Sequence, residues 1–242
     1  MKTRRAFTLL ELLVTLSVIA LLVAVLLAGL GRIRSVAQQA HCANSLRQLG
    51  AATHLYLADH EQRFFAYVQG TPDGPLWYFG LEPTGAGGGA EGSRVLDQTK
   101  APLYPYVRQV GGIAVCPSFP YGSALWKPKF KGASWGYGYN TFLSNVNSLT
   151  LASPSRVILF GDCAQVNTFQ APASPKHPMI EEFYMIEHTF KTIHFRHGAS
   201  ANLLFADGHV EPRTVCPGTE DRRLPEAAIG RVTPVGSTDL LK

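Results

Sequence analysis

The chain has 242 residues, of which 46% are hydrophobic and 16% are charged. This composition provides enough apolar mass for a folded core and excludes a disordered protein. The formal net charge is +5, but three of the basic residues lie within the first five positions. The rest of the chain is nearly balanced in charge, which argues against a nucleic-acid-binding protein.

A long apolar segment follows the basic residues at the start of the chain. Residues 7–30 contain Glu11 as their only charged residue, and at 1.5 Å per residue a helix of this length spans a bilayer core of about 30 Å. The segment is longer than the apolar region of a signal peptide, roughly 7–15 residues, and no small-x-small cleavage site follows it. The sequence therefore predicts a membrane-spanning helix, with a buried helix of a soluble domain as the alternative.

Glu11 is unusual because it lies inside this apolar segment. An ionisable group in a membrane costs at least a few kcal/mol unless it finds a partner. Hydropathy alone leaves two interpretations of Glu11 open. The carboxylate has a functional partner in the membrane, or it reaches the lipid headgroups at little cost in free energy.

The residues around Glu11 resemble a known processing signal. Type IV prepilins and type II secretion pseudopilins carry a signal similar to the stretch Arg4-Arg5-Ala6-Phe7-Thr8-Leu9-Leu10-Glu11, except that they have Gly where this chain has Ala6. The resemblance implies that prepilin peptidase cuts between Ala6 and Phe7 on the cytoplasmic side and that Phe7 is then N-methylated. It also implies that Glu11 pairs with the terminal amine of a neighbouring subunit during assembly.

The apolar helix is predicted to continue beyond the membrane. Residues 32–57 contain no proline, and Leu46, Leu49, Ala52 and Tyr56 recur at helical spacing, which predicts an apolar face that packs on protein. The expected segments are a leader (1–6), the transmembrane half of the helix (7–30), its amphipathic half (31–60) and a globular domain (61–242).

The globular domain is predicted to combine irregular loops with a small sheet. Residues 70–80 and 85–92 are rich in glycine and predict surface loops, in which Trp77, Tyr78 and Phe79 form a small aromatic plug. Short apolar runs predict antiparallel strands at 156–161, 194–195, 201–206 and 208–210.

The expected fold class is α+β and pilin-like, with a long N-terminal helix packed on a small antiparallel sheet that carries long irregular loops. Asp207-Gly208 separates two of the predicted strands and is a strong signal for a hairpin turn.

The chain contains four cysteines, Cys42, Cys116, Cys163 and Cys216, and none of them forms a CxxC pair. Their spacing is compatible with two disulfides in an oxidising compartment and with free thiols otherwise. Because the resemblance places the globular domain outside the cytoplasmic membrane, we expect disulfides. The pairing we favour joins Cys42 to Cys116 and Cys163 to Cys216.

Residues 194–211 contain a group of histidines together with an aspartate. The cluster consists of His194, His197, Asp207, Gly208 and His209. Three interpretations stay open: a structural role, a structural divalent metal and general acid–base chemistry. We favour the structural role, in which Asp207 caps the turn and His197 bonds to backbone groups, because no HExxH-type motif is present.

Two further motifs resemble a narrower group. The helical stretch 40–50 and the H-x9-DG spacing from His197 to Asp207-Gly208 are similar to signatures of pseudopilin-like proteins that are expanded in planctomycete and verrucomicrobial bacteria.

Taken with the leader, these motifs imply a single-pass, non-enzymatic subunit of a type II secretion or type IV pilus-like assembly that needs no cofactor. Its N-terminus would be cytoplasmic and its globular domain periplasmic or extracellular. The implied partners are prepilin peptidase, other pilin-like subunits, the assembly machinery and the lipid bilayer. The alternative is a membrane-anchored periplasmic binding protein or a metal-dependent hydrolase that uses the His/Asp cluster.

Overall fold

The structure is a computed structural model that describes residues 8–85, 92–131 and 134–242. The expected leader, the expected cleavage position between Ala6 and Phe7, and most of the glycine-rich run at 85–92 lie outside the described residues. The chain divides into two compact units, with the boundary between Ala37 and Gln38.

Helix α1 spans Leu9–Asp59 and begins in the first unit. It is the one helix in the described chain that is long and apolar enough to cross a membrane. Its apolar side chains in this unit are exposed on every face, from 46% at Val23 to 77% at Leu9. A helix without a polar face cannot be stabilised by water alone, so this unit requires lipid or other protein around it.

In the second unit, α1 has one buried face. Leu46, Leu49 and Ala52 are fully buried there, as their spacing predicts, while Tyr56 is half-buried. The buried face packs against the central sheet, and the main hydrophobic core lies between the two. Helical periodicity thus predicted correctly which residues of this half contact the globular domain.

The second unit is built on short strands. In chain order they are β1 (Val68–Thr71), β2 (Gly74–Trp77), β3 (Gly80–Leu81), β4 (Tyr137–Asn140), β5 (Ile158–Asp162), β6 (Ala164–Asn167), β7 (Met179–Glu182), β8 (Met185–Ile186), β9 (Ile193–His194), β10 (Ser200–Phe205), β11 (Val210–Thr214) and β12 (Ile229–Gly230). The remaining helices are α2 (Tyr104–Gln109) and the 3₁₀ helices Gln98–Lys100, Thr141–Leu143, Ser148–Thr150, Pro154–Arg156 and Pro225–Ala227.

The central sheet has five strands in the order β11-β10-β5-β4-β8. Its pairs are antiparallel except for β4 with β8, which is parallel. Smaller sheets pair β1-β2-β3, β9 with β12, and β6 with β7. The α+β class predicted from the sequence is confirmed.

The prediction of a surface loop at 70–80 is wrong, because this stretch contains most of the small sheet β1-β2-β3. Gly74 allows a close backbone approach, because a Cβ at this position would lie 2.1 Å from the Glu82 carbonyl oxygen. Tyr78 and Phe79 are buried beside these strands, as the predicted aromatic plug requires, and Trp77 is half-buried.

The predicted hairpin at Asp207-Gly208 is confirmed. Strands β10 and β11 pair up to Leu204 and Val210, and the Gly208 N–H donates to the Phe205 carbonyl at 2.9 Å. Gly208 has φ +94°, a conformation that glycine adopts without strain.

Candidate functional site

Four buried side chains converge in the second unit, and together they form what we call the Cys–Asp–His cluster. Its members are Cys42 of α1, Cys116 in the segment after α2, Asp162 at the end of β5, and His197 in the connection from β9 to β10. One potential metal-ligand atom from each lies within 4.8 Å of those of the other three. Four distant segments therefore bring thiol, carboxylate and imidazole groups to one point.

Local structure fixes the direction of each side chain. Cys42 lies one helical turn before Leu46 on the buried face of α1. His197 begins a tight turn in which Ala199 has φ +66°, and its backbone exchanges hydrogen bonds with Ser200 at 2.9 and 3.0 Å. The turn holds the imidazole at the end of β10 and directs it into the protein.

The contacts within the cluster are short. Cys42 Sγ donates to Asp162 Oδ1 at 3.0 Å. His197 Nε2 lies 3.3 Å from Asp162 Oδ2 and 3.4 Å from Cys116 Sγ. The same ring nitrogen thus faces two anion-forming groups.

Asp162 is the most highly bonded member of the cluster. Arg196 donates from its terminal nitrogen to Oδ1 at 2.5 Å, and the backbone N–H of Asn202 donates to Oδ2 at 2.8 Å. The Arg196 side chain is only 2% exposed. A buried guanidinium and a backbone donor therefore fix the orientation of this carboxylate.

Burial and neighbouring charges shift the pKa values of the cluster in opposite directions. Burial acts to raise the pKa of Asp162, but Arg196 and His197 outweigh it and hold that pKa below its usual range. Burial acts to lower the pKa of His197, but hydrogen bonds with Asp162 and Cys116 raise it to about 9.

The two thiols of the cluster differ as well. Hydrogen bonds with Cys42 and His197 lower the pKa of Cys116 to about 4. Burial raises the pKa of Cys42. The cluster thus favours anionic Cys116 and Asp162 beside cationic His197 and Arg196.

The structure does not bring the predicted His/Asp residues together. His197 lies at one end of β10 and Asp207 beyond the other, and six strand residues extend about 20 Å. The Asp207 carboxylate accepts a hydrogen bond from the backbone N–H of His209 at 3.2 Å and lies 2.6 Å from Nδ1 of the same histidine. Both residues belong to the exposed hairpin turn, in which Gly208 has a positive φ.

His194 and His197 also do not form the shared site that the sequence suggested. His194 is buried, and its Nδ1 lies 3.1 Å from an Arg196 nitrogen, outside the cluster. Burial, and then Arg196, lower the pKa of His194 well below its usual value. The side chain of His197 contacts Asp162 and Cys116, whereas the sequence predicts backbone partners.

The expected disulfides are not formed, since all four cysteines are free. Cys42 and Cys116 do lie close together and hydrogen-bond to each other, but both are free thiols whose sulfurs also contact Asp162 and His197. Cys163 and Cys216 follow β5 and β11, which β10 separates by about 10 Å, whereas a disulfide joins Cα atoms roughly 4.4–6.8 Å apart.

A surface cleft of about 310 Å³ lies beside this region. Its lining includes His194, Arg196 and Glu226 but no member of the Cys–Asp–His cluster. A molecule bound in the cleft would therefore contact Arg196 but not the thiols of Cys42 and Cys116.

The other site predicted from the sequence lies at the start of α1. The Thr8 backbone N–H and hydroxyl donate to Glu11 Oε2 at 2.9 and 2.8 Å, and the Glu11 N–H donates to Thr8 Oγ1 at 3.2 Å. This reciprocal pair is a capping box, which satisfies donors that the first helical turn leaves unpaired. This capping role was not predicted from the sequence, although the Thr-x-x-Glu spacing is its signature.

Comparison with known proteins gives one match. Residues 1–27 match the family model of the prokaryotic N-terminal methylation motif. No curated protein and no solved structure matches the chain. The match supports a prepilin-type subunit with an N-terminal helix, and together with the apolar helix it is consistent with anchoring in a membrane.

Proposed function

We propose that this protein is a pilin-like subunit of a type II secretion or type IV pilus-like assembly. The observation that carries the proposal is the methylation motif at residues 1–27, which opens a helix whose apolar side chains are exposed on every face. Before assembly this helix anchors the chain in the cytoplasmic membrane, and after assembly it packs against the same helix of neighbouring subunits.

Processing follows from the motif. Prepilin peptidase cuts between Ala6 and Phe7 on the cytoplasmic side, the new amine of Phe7 is methylated, and the second unit faces the periplasm or the exterior. Ala6 stands where the resembling signals have glycine, and it keeps the small side chain that such a cleavage site requires.

Glu11 has two roles in this proposal. Its hydrogen bonds to Thr8 cap the helix and, within the described residues, use Oε2. We assign Oε1 to the terminal amine of a neighbouring subunit, because a carboxylate in lipid needs a charged partner to offset its desolvation. The assembled state supplies that partner.

We propose no catalytic activity for the subunit. Cys116, Asp162 and His197 are buried, and the neighbouring cleft does not reach them. A hydrolase needs its nucleophile or its activated water in contact with substrate, so this arrangement favours a structural subunit over the hydrolase alternative.

The mature N-terminus tests the proposal. The full chain is expressed with and without an active prepilin peptidase, and its N-terminal peptide is identified by mass spectrometry. We expect methylated Phe7 with the enzyme and intact Met1 without it. Ala6→Val should block cleavage because of its bulk, whereas Ala6→Gly should be cut at least as well as the native chain. Intact Met1 in the presence of the active peptidase would refute the proposal.

A further inference from the structure

The Cys–Asp–His cluster has the donor set of a metal centre. Two cysteine sulfurs, one carboxylate and one imidazole lie within 4.8 Å of one another, all on buried residues. Zinc binds these three ligand types in proteins, and thiolate with imidazole favours zinc over harder divalent ions such as Mg²⁺ or Ca²⁺.

The spacing of the donor atoms is close to that of tetrahedral coordination. Bonds of about 2.0 Å to nitrogen and oxygen and about 2.3 Å to sulfur give donor-to-donor distances of about 3.3–3.8 Å around one ion. His197 Nε2 lies 3.3 Å from Asp162 Oδ2 and 3.4 Å from Cys116 Sγ, and Cys42 Sγ lies 3.0 Å from Asp162 Oδ1. The Cys42–Asp162 distance is shorter than this range and involves the other carboxylate oxygen, so metal binding would require these two side chains to shift.

The geometry differs from that of a catalytic cysteine. In a nucleophile–histidine–carboxylate relay, one ring nitrogen faces the nucleophile and the other faces the carboxylate. Here Nε2 of His197 faces both Cys116 and Asp162. The donor atoms of a metal site surround one common point, and here one such atom from each of the four side chains lies within 4.8 Å of the other three.

Charge balance supports a divalent ion. Two bound thiolates and one carboxylate carry three negative charges, which are costly to bury unless they are compensated. A divalent cation leaves one negative charge, and Arg196 neutralises it through its 2.5 Å contact with Asp162. The backbone N–H of Asn202 also holds the carboxylate, as outer-shell groups do in metal sites.

We propose that Cys42, Cys116, Asp162 and His197 bind one zinc ion in a closed, structural site. All four coordination positions come from the chain, so none is left for a substrate. The ion would join α1, the segment after α2, strand β5 and the turn before β10. It would take the place of the expected Cys42–Cys116 disulfide and would in addition fasten the helix to the sheet.

Direct metal binding tests this proposal on the full chain. The protein is purified in detergent under reducing conditions, stripped with a chelator and titrated with Zn²⁺ alone. We expect about one tightly bound ion per chain and a melting temperature that rises with Zn²⁺. Cys42→Ala, Cys116→Ala and His197→Ala should each weaken binding by more than about 100-fold, beyond the loss typical of outer-shell changes.

Matched controls are available within the chain. Cys163→Ala removes a buried cysteine outside the cluster, and Asp207→Ala removes the carboxylate of the hairpin turn. Both should bind Zn²⁺ as the native chain does. Equal affinity in Cys116→Ala and Cys163→Ala would overturn the proposal.

A second measurement needs no variants and so does not depend on their folding. Co²⁺ added to the stripped native chain should produce thiolate-to-cobalt charge-transfer absorption, and Zn²⁺ should abolish it. Absence of this absorption, or of any Zn²⁺ binding by the native chain, would show that the cluster is not a metal site.

Discussion

Cys42 Sγ donates a hydrogen bond to Asp162 Oδ1 at 3.0 Å, and the two residues are 120 positions apart. The contact joins the buried face of α1 to the end of the central strand β5. It lies beside Arg196, whose charge the same carboxylate compensates. The interface between helix and sheet therefore contains a polar network beside its apolar core, and the integrity of this network depends on Asp162.

Asp162→Asn should destabilise the fold strongly. The substitution removes the negative charge opposite the buried Arg196 guanidinium, and breaking a buried ion pair from one side costs about 3–5 kcal/mol. Urea unfolding of the full chain in detergent, with a chelator present to exclude metal, measures this loss. Glu211→Gln is the matched control: Glu211 and its partner Arg213 are 35% and 45% exposed, so a cost of about 1 kcal/mol or less is expected. Similar costs for the two variants would contradict the role of Asp162.

Substitutions at the start of α1 should separate capping from assembly. Glu11→Gln keeps a side chain that supports the capping box but removes the charge, so we expect normal helix stability and loss of incorporation into filaments. Thr8→Ala removes the cap, at a cost of about 1 kcal/mol, and keeps the carboxylate, so assembly should persist. Filament yield after shearing and the membrane content of the subunit measure both effects. Assembly by Glu11→Gln at the native level would rule out the proposed charge pairing.

Gly208→Val should destabilise the β10–β11 hairpin by about 1–3 kcal/mol. A β-branched residue is strained at φ +94°, and its Cβ would also lie 3.4 Å from His54 Nε2. Gly122→Val is the control, because Gly122 does not have a left-handed φ and a Cβ there would meet nothing within 4 Å beyond its chain neighbours. Thermal unfolding that gives the same melting temperature for both variants would argue against the turn conformation.

The cysteines should differ in their reaction with an alkylating reagent. Cys42, Cys116 and Cys163 are buried, whereas Cys216 is partly exposed. Under native conditions we expect modification of Cys216 first and of the other three only after unfolding, since a buried thiol cannot meet the reagent. Peptide mass spectrometry measures the order. A disulfide-linked peptide pair in the native protein would contradict the free thiols of the structure.

Local signals predicted the parts of the fold that depend on neighbours in sequence. The apolar run after Phe7 predicted the long apolar helix, the spacing of Leu46, Leu49 and Ala52 predicted its buried face, and Asp207-Gly208 predicted the hairpin. Each of these features follows from residues within one or two turns or strands. The loop predicted at 70–80 was wrong, because a high glycine content around Gly74 indicates close backbone approach as well as turns.

The sequence by itself determined the N-terminal helix, its match to the methylation motif and the α+β class, because motif residues, hydropathy, periodicity and turn chemistry act over short stretches of chain. Only the tertiary structure decided which polar residues meet. Cys42 and Cys116 were expected to be close and are close, but strand order brought Asp162 and His197 to them and left Asp207 at the far end of β10. Chain order carries no information on such convergence, since it depends on how β5 and β10 pair and on which face of α1 they cover.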